Sequence, residues 1–137
     1  MPYRVLDHTA DYMVEVTAEG KPELFSEAAR ALFDIITDLE TVEPRESVSI
    51  SVEAESSEEL LVSWLTELLF LYEDQGWLFS RFDPRLVGDH RFEAEAWGEK
   101  LDPERHPIDR EVKGVTYHRM ALVRQGKLLK TTIVFDL

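Results

Sequence analysis

Along this chain the apolar positions change period several times, and each change marks an element. Tyr3 to Leu6 and Met13 to Ala18 read as two short strands, the second setting Met13, Val14 and Val16 against Glu15 and Thr17. His8 to Asp11 is the bend between them. Pro22 suits a first helical turn, and Leu24, Phe25, Ala28, Leu32, Ile35 and Ile36 recur at helical spacing, which predicts a helix over Pro22 to Thr37. A polar link from Asp38 to Arg45 follows. Val48, Ile50 and Val52 then alternate with Ser49, Ser51 and Glu53, the pattern of a strand with one buried face. Ser56 and Glu59 form a capping box ahead of a second helix, Ser57 to Asp74, whose stripe is Leu60, Leu61, Trp64, Leu65, Leu68, Leu71 and Tyr72 and whose stop is Gly76. Trp77 to Phe82, Arg91 to Trp97 and Thr116 to Val123 are further strands, and Gln125-Gly126 turns the last of these into Leu128 to Phe135. The order predicts an α+β fold: a single two-layer domain over residues 1–137, with two helices on one face of a largely antiparallel or mixed sheet.

Composition narrows the chemistry. The 137 residues include no cysteine, which removes disulfides, thiolate metal sites and cysteine nucleophiles. The apolar runs are too short to cross a bilayer, and the start has no basic segment leading into an apolar core, so a soluble cytoplasmic protein is expected. Asn is absent, Gln occurs only at 75 and 125, and 31% of residues are charged, a balance expected where thermolabile side chains are avoided. Net charge is −13, and its distribution is lopsided. Residues 1–75 carry 4 basic and 18 acidic side chains, whereas the remainder is close to neutral. Such a surface repels phosphate backbones, so strong direct nucleic-acid binding is not expected. It suits cations or a basic protein partner, as well as simple solubility.

Three polar features stand beside predicted strands: His8-Thr9-Ala10-Asp11, the aperiodic run Ala96 to His118, and the ending Phe135-Asp136-Leu137. Asp11 has two readings, an Asx-type turn bonding its own backbone or a ligand. Asp136 stands next to the α-carboxylate of Leu137, and if the last strand lies beside the first hairpin, Asp11 joins them. Converging carboxylates repel unless a cation binds, and oxygen-only donors favour Ca²⁺ or Mg²⁺ over zinc. His8 and His118 with Asp11 offer a competing imidazole site, although their spacing matches no recognised zinc pattern. His106 is expected to sit exposed in its loop, Trp64 in the core, and Trp97 in the core or as a loop anchor. Asp109, Arg110, Glu111 and Lys113 read as a solvated edge. No phosphate-binding glycine loop, nucleophile elbow or His-Glu-x-x-His helix occurs, and no catalytic residue is assigned.

Taken jointly, His8-Thr9-Ala10-Asp11, Ala31-Leu32-Phe33-Asp34, Thr37-Asp38, Val42-Glu43-Pro44-Arg45, Trp97-Gly98-Glu99, Asp102-Pro103-Glu104-Arg105-His106, Val112 to His118 and the final Asp136-Leu137 closely resemble the archease family over the whole chain. The resemblance implies a non-catalytic protein cofactor. It would assist the tRNA-splicing RNA ligase that joins 2′,3′-cyclic-phosphate or 3′-phosphate ends, promoting guanylylation by GTP and multiple turnover. It also implies a metal site at Asp11, Asp136 and Leu137, usually assigned to Ca²⁺, with Mg²⁺ or Mn²⁺ as other hard cations of the same kind. His8, Lys113 and His118 are candidates for supporting that site or touching the partner. Two departures stand out: Tyr12-Met13-Val14 follows Asp11 where a small residue and a Gly are frequent, and Gly114 stands where Ala is common. Rival readings are a chaperone-like module for tRNA-modifying enzymes and a metal-dependent phosphoesterase.

Overall fold

A computed structural model of the chain describes residues 2–6, 11–116 and 121–137, with the backbone alone at Leu6 and Asp11. In order, the elements are β1 (Tyr3–Leu6), β2 (Asp11–Ala18), α1 (Lys21–Ile36), a 3-10 turn (Leu39–Thr41), β3 (Glu46–Glu53), α2 (Ser57–Gln75), β4 (Trp77–Val87), β5 (Arg91–Lys100), β6 (Gly114–Thr116), β7 (Val123–Gln125) and β8 (Leu128–Asp136). The fold is α+β, as the order of periodic segments implies.

Both helices form where their sequences punctuate them. Pro22 lies in the first turn of α1, where a missing N–H costs nothing, and Thr37 ends the helix by donating its backbone N–H to Phe33 O. The Ser56 hydroxyl accepts from the Glu59 N–H at 3.1 Å and caps α2. At its other end Gly76 adopts φ 75 and closes the helix on the Leu71 and Tyr72 carbonyls.

The strands divide between two antiparallel sheets, ordered β1-β2-β8-β6 with β7 also on β8, and β3-β5-β4. Both helices contact both sheets: α1 touches β2, β8 and β4, and α2 touches β3, β4, β5 and β6. The expected single sheet with helices on one face is therefore replaced by two sheets sharing the helices. Alternation within a strand reports which face is buried; it carries no information on which ladder the strand joins.

Two strand boundaries also differ from the periodic reading. β4 continues past Phe82 through Pro84 to Val87, because it is an edge strand with a register shift between Pro84 and Leu86, where a residue without an N–H is tolerated. The strand expected over Thr116 to Val123 is broken: β6 ends at Thr116, Ala121 and Leu122 are not strand, and β7 begins at Val123. β6 and β7 pair with opposite ends of β8 in registers that do not continue one another, and residues 117–120 lie outside those described. The final hairpin forms as expected, with Gln125 opposite Leu128 and Gly126 at φ 62.

Trp64 ties the layers together. It is fully buried, its indole N–H donates to Phe25 O at 3.0 Å, and its ring meets Phe92 edge-on at 4.9 Å. Phe25 and Phe92 are themselves 4.6 Å apart. The buried hydrogen bond makes a tryptophan usable here, since an unpaired indole N–H in this position would be costly.

Close backbone approach fixes one glycine. A Cβ on Gly98 would lie 1.8 Å from Leu78 O, beside the register shift between Phe79 and Arg81. Gly114 has no such constraint, its hypothetical Cβ meeting only Asp136 Oδ2 at 3.9 Å. Gly98→Ala is expected to destabilise the protein by about 3 kcal/mol or more, while Gly114→Ala stays within about 0.5 kcal/mol. Urea denaturation of both variants checks the contrast.

Candidate functional site

The long ladder between β2 and β8 runs from Ala18 opposite Leu129 to Asp11 opposite Asp136. Tyr12 lies opposite Phe135 in that register, and Val14 and Val16, with Ile133 and Phe135, bury the inner face. Apolar alternation locks the register, because a slip of one residue would turn those side chains to solvent. The pairing of Asp11 with Asp136 is its consequence. Directly opposed residues in an antiparallel ladder have Cβ atoms about 4.5–5.5 Å apart.

β6 covers the far side of Asp136. Gly114 is the register partner of Asp136 there, and the Lys113 N–H donates to Asp136 O at 2.7 Å. Asp136 and Lys113 are exposed, and Leu137 is half-buried and packs on the core. His8, His118 and the Asp11 side chain lie outside what is described. Among the described residues no group of three or more His, Cys, Asp or Glu side chains is placed to hold a metal ion. Asp11 and Asp136 are register partners, and carboxylate oxygens are donors that hard cations accept.

Along the same outer row of β2, Glu15 is bonded by Arg4 at 3.2 Å and approached by Lys130 at 3.3 Å. Burial pushes its carboxyl up, but the bonds from Lys130 and Arg4 outweigh this and hold it below the usual range. Cations thus neutralise Glu15 within the protein. On the inner row, the Arg110 guanidinium lies 4.7 Å from the centre of the Tyr12 ring. Arg110 is not merely a solvated edge charge, although Asp109, Arg110, Glu111 and Lys113 are all exposed.

The aperiodic run after Trp97 builds a second polar centre, and here one expectation is corrected. His106 is 1% exposed, not a free loop residue. Its Nδ1 accepts from the Asp102 N–H at 2.9 Å, so the proton of the neutral ring is on Nε2, which donates to Glu99 Oε2 at 3.0 Å. Glu99 also accepts from the Glu43 N–H at 2.8 Å and pairs with Arg105 at 2.5 Å and Arg45 at 3.6 Å. The turn itself is wound around Asp102, whose side chain accepts from the Glu104 N–H and whose carbonyl accepts from the His106 N–H. Further along, the buried Thr37 hydroxyl donates to Pro107 O at 2.6 Å, and the Asp109 N–H donates to Ile36 O. The segment Asp102 to Asp109 is thereby clipped to the end of α1. Sequence reading missed this clip, because Glu99 falls on the same row of β5 as Glu93, Glu95 and Trp97, where periodicity gives no sign of its burial. Trp97 is half-buried on the outer face, with Arg81 stacked on it at 5.0 Å.

Burial pushes the Glu99 carboxyl up, yet the bonds from the Glu43 amide, His106 and Arg105 prevail and hold it below its ordinary 4.5. A depressed carboxyl stabilises the fold fully above its unfolded value and loses that contribution as pH falls through the folded value. Glu99→Gln is expected to cost about 3 kcal/mol at pH 7. Its deficit against wild type should narrow as pH drops below 4.5, as read by urea denaturation across pH.

With this geometry in view, comparison with known proteins is informative. The model of the archease protein family matches residues 3–137. Protein archease of Methanopyrus kandleri is 43% identical, the alignment covering all of both chains. Protein archease of Sulfurisphaera tokodaii is 34% identical over 98% of each. The solution structure of Methanobacterium thermoautotrophicum protein 1598 superposes with a TM-score of 0.86 at 32% identity, covering 99% of both chains. The crystal structure from Thermotoga maritima, described as an archease and possible chaperone, shares the fold at a TM-score of 0.67 and 24% identity over 96% of this chain and 94% of its own. A family model that spans residues 3–137, a relative 43% identical over the whole chain, and a superposition covering 99% of it show that this chain belongs to the archease family.

Proposed function

We propose that this protein is a non-catalytic activator of the tRNA-splicing RNA ligase, promoting ligase guanylylation by GTP and multiple turnover in the joining of 3′-phosphate RNA ends. The observation that carries the reading is the register that sets Asp11 against Asp136 at the open end of the β2–β8 ladder, in a chain whose family membership spans its whole length. In this reading Asp11, Asp136 and Leu137 hold one divalent hard cation, Ca²⁺ first and Mg²⁺ or Mn²⁺ as alternatives. When bound, the ion supplies positive charge that neutralises the carboxylates and can meet an anionic group of the ligase or its nucleotide.

The residues of this chain do the positioning. The β2–β8 ladder holds the two Asp backbones rigidly, and the Lys113 N–H bond to Asp136 O pins β6 beside them. Lys113 stands exposed next to the pair, with His8 and His118 further candidates for supporting it or touching the ligase. Phosphoryl and nucleotidyl transfer depend chiefly on alignment and charge neutralisation, so a bound protein can accelerate them without offering a nucleophile. The net charge of −13 supports docking on a basic protein surface and disfavours direct RNA binding.

A multiple-turnover joining assay with ligase, GTP and excess 3′-phosphate RNA tests the reading. Wild type is expected to raise turnover, and Asp11→Ala or Asp136→Ala to reduce the stimulation by about 10-fold or more. Unchanged stimulation by both variants would remove the carboxylate pair from the mechanism. Failure of wild type to stimulate, together with suppression of partner aggregation by the double variant, would favour a chaperone-like module instead.

A further inference from the structure

An apolar cleft of about 200 Å³ opens between the inner face of β1 and β2, the C-terminal half of α1, and the segment carrying Asp109 and Arg110. Val14, Ala31 and Ile35 form its floor, and Tyr3, Val5 and Tyr12 its walls. It is half enclosed and too small for a nucleotide, since small-molecule sites run to about 300–1,000 Å³. The volume is that of one large apolar side chain.

Its rim is built and polar. The Tyr3 hydroxyl donates to Asp34 Oδ2 at 2.9 Å, and burial together with that carboxylate pushes the phenol up to about 12. It therefore stays a neutral donor. Across the mouth, Arg110 lies over the Tyr12 ring and Asp109 is tied by its backbone to the end of α1. Asp34, Asp109 and Arg110 are all among the lining residues. Apolar surface continues beyond it: Val5 is 53% exposed on the sheet-edge strand β1, and Ile108 is 45% exposed. Scattered exposed aliphatics need no explanation, but here they adjoin a cleft with aromatic walls and a charged rim of Asp34, Asp109 and Arg110.

We infer that this cleft is a docking pocket for a basic protein partner, receiving one aliphatic or aromatic side chain flanked by Lys or Arg. The apolar anchor fills the space above Val14 and Ala31, and the flanking cation meets Asp34 and Asp109. Charge complementarity selects this occupant: residues 1–75, which supply β1, β2 and α1, carry 18 acidic against 4 basic side chains. Continuity with the proposed site supports it as well. Tyr12, a wall of the cleft, directly follows Asp11 and is the register partner of Phe135. An anchor seated here would fix the Asp11–Asp136 end of the ladder against the partner, so the inference rests on the activator reading and adds the surface that delivers it.

Val5 and Asp109 are exposed, so substitution there leaves the core untouched. Val5→Lys and Asp109→Lys are compared with wild type, with Asp136→Ala, and with Glu55→Lys, an exposed charge change away from the cleft. Two readouts are taken: affinity for fluorescently labelled ligase at fixed salt, and stimulation of joining across a range of concentrations of this protein. Val5→Lys and Asp109→Lys are each expected to weaken binding about 10-fold, with thermal stability unchanged and stimulation recovered at saturating protein. Asp136→Ala is expected to bind normally and stimulate poorly. Binding within about 2-fold of wild type for both cleft variants, or equal weakening by Glu55→Lys, would overturn the pocket while leaving the activator reading intact. A wild type that neither binds nor stimulates would remove both.

Discussion

The antiparallel pairing of β2 with β8 is the constraint on which the larger sheet and the proposed site both depend. Eight residue pairs in continuous register join the start of the chain to its last strand. The alternating inner residues Val14, Val16, Ile133 and Phe135 are fully buried, so the ladder can adopt only one register without exposing them. β1 adds to one edge of this pair, and β6 and β7 share the other. Asp11 and Asp136 are register partners at the ladder's end because the hydrophobic alternation upstream leaves the backbones no other arrangement.

Such an arrangement opposes two acidic residues, a destabilising pairing in a bare sheet. Elsewhere the protein answers its negative charge internally. Glu15 is met by Arg4 and Lys130, and Glu99 by Arg45, Arg105 and His106. Asp136, among the described residues, is held through its backbone, by the Lys113 N–H on its carbonyl and by its ladder partners.

The Glu99 centre has a different role. Its bonds reach from the Val42–Arg45 link, across β5, to the Asp102–His106 turn, and the next residues of that turn are fastened to Thr37 and Ile36. Buried polar networks that are fully satisfied specify one geometry at high cost to alternatives. Here the specified geometry is the path of residues 107–113, which carries Arg110 to Tyr12 and Lys113 to Asp136. The polar segments that resemble family signatures are thus largely the scaffold that places the site's surroundings, and a smaller part touches the site itself.

Much of this was legible in the chain alone. Periodicity located both helices to within about a residue, because a 3.6-residue stripe with a proline start and a glycine stop is a local signal. It also located the strands that alternate cleanly; that the terminal strand lies beside the first hairpin, and so pairs Asp136 with Asp11, stayed a condition in the sequence that only the ladder met. Sequence could not reveal that the strands form two sheets, since ladder membership is set by contacts distant in the chain. Nor could it reveal that β4 runs through Pro84, which only an edge position permits, or that β6 and β7 divide one edge of β8. His106 was the clearest loss: a histidine amid Pro, Glu and Arg has the composition of a solvated loop. Only the tertiary structure brings Glu99 and the Asp102 amide to its two ring nitrogens and makes its burial affordable. Local pattern determined the elements and their buried faces; long-range hydrogen bonding decided which polar residues were scaffold and which were left at the surface to act.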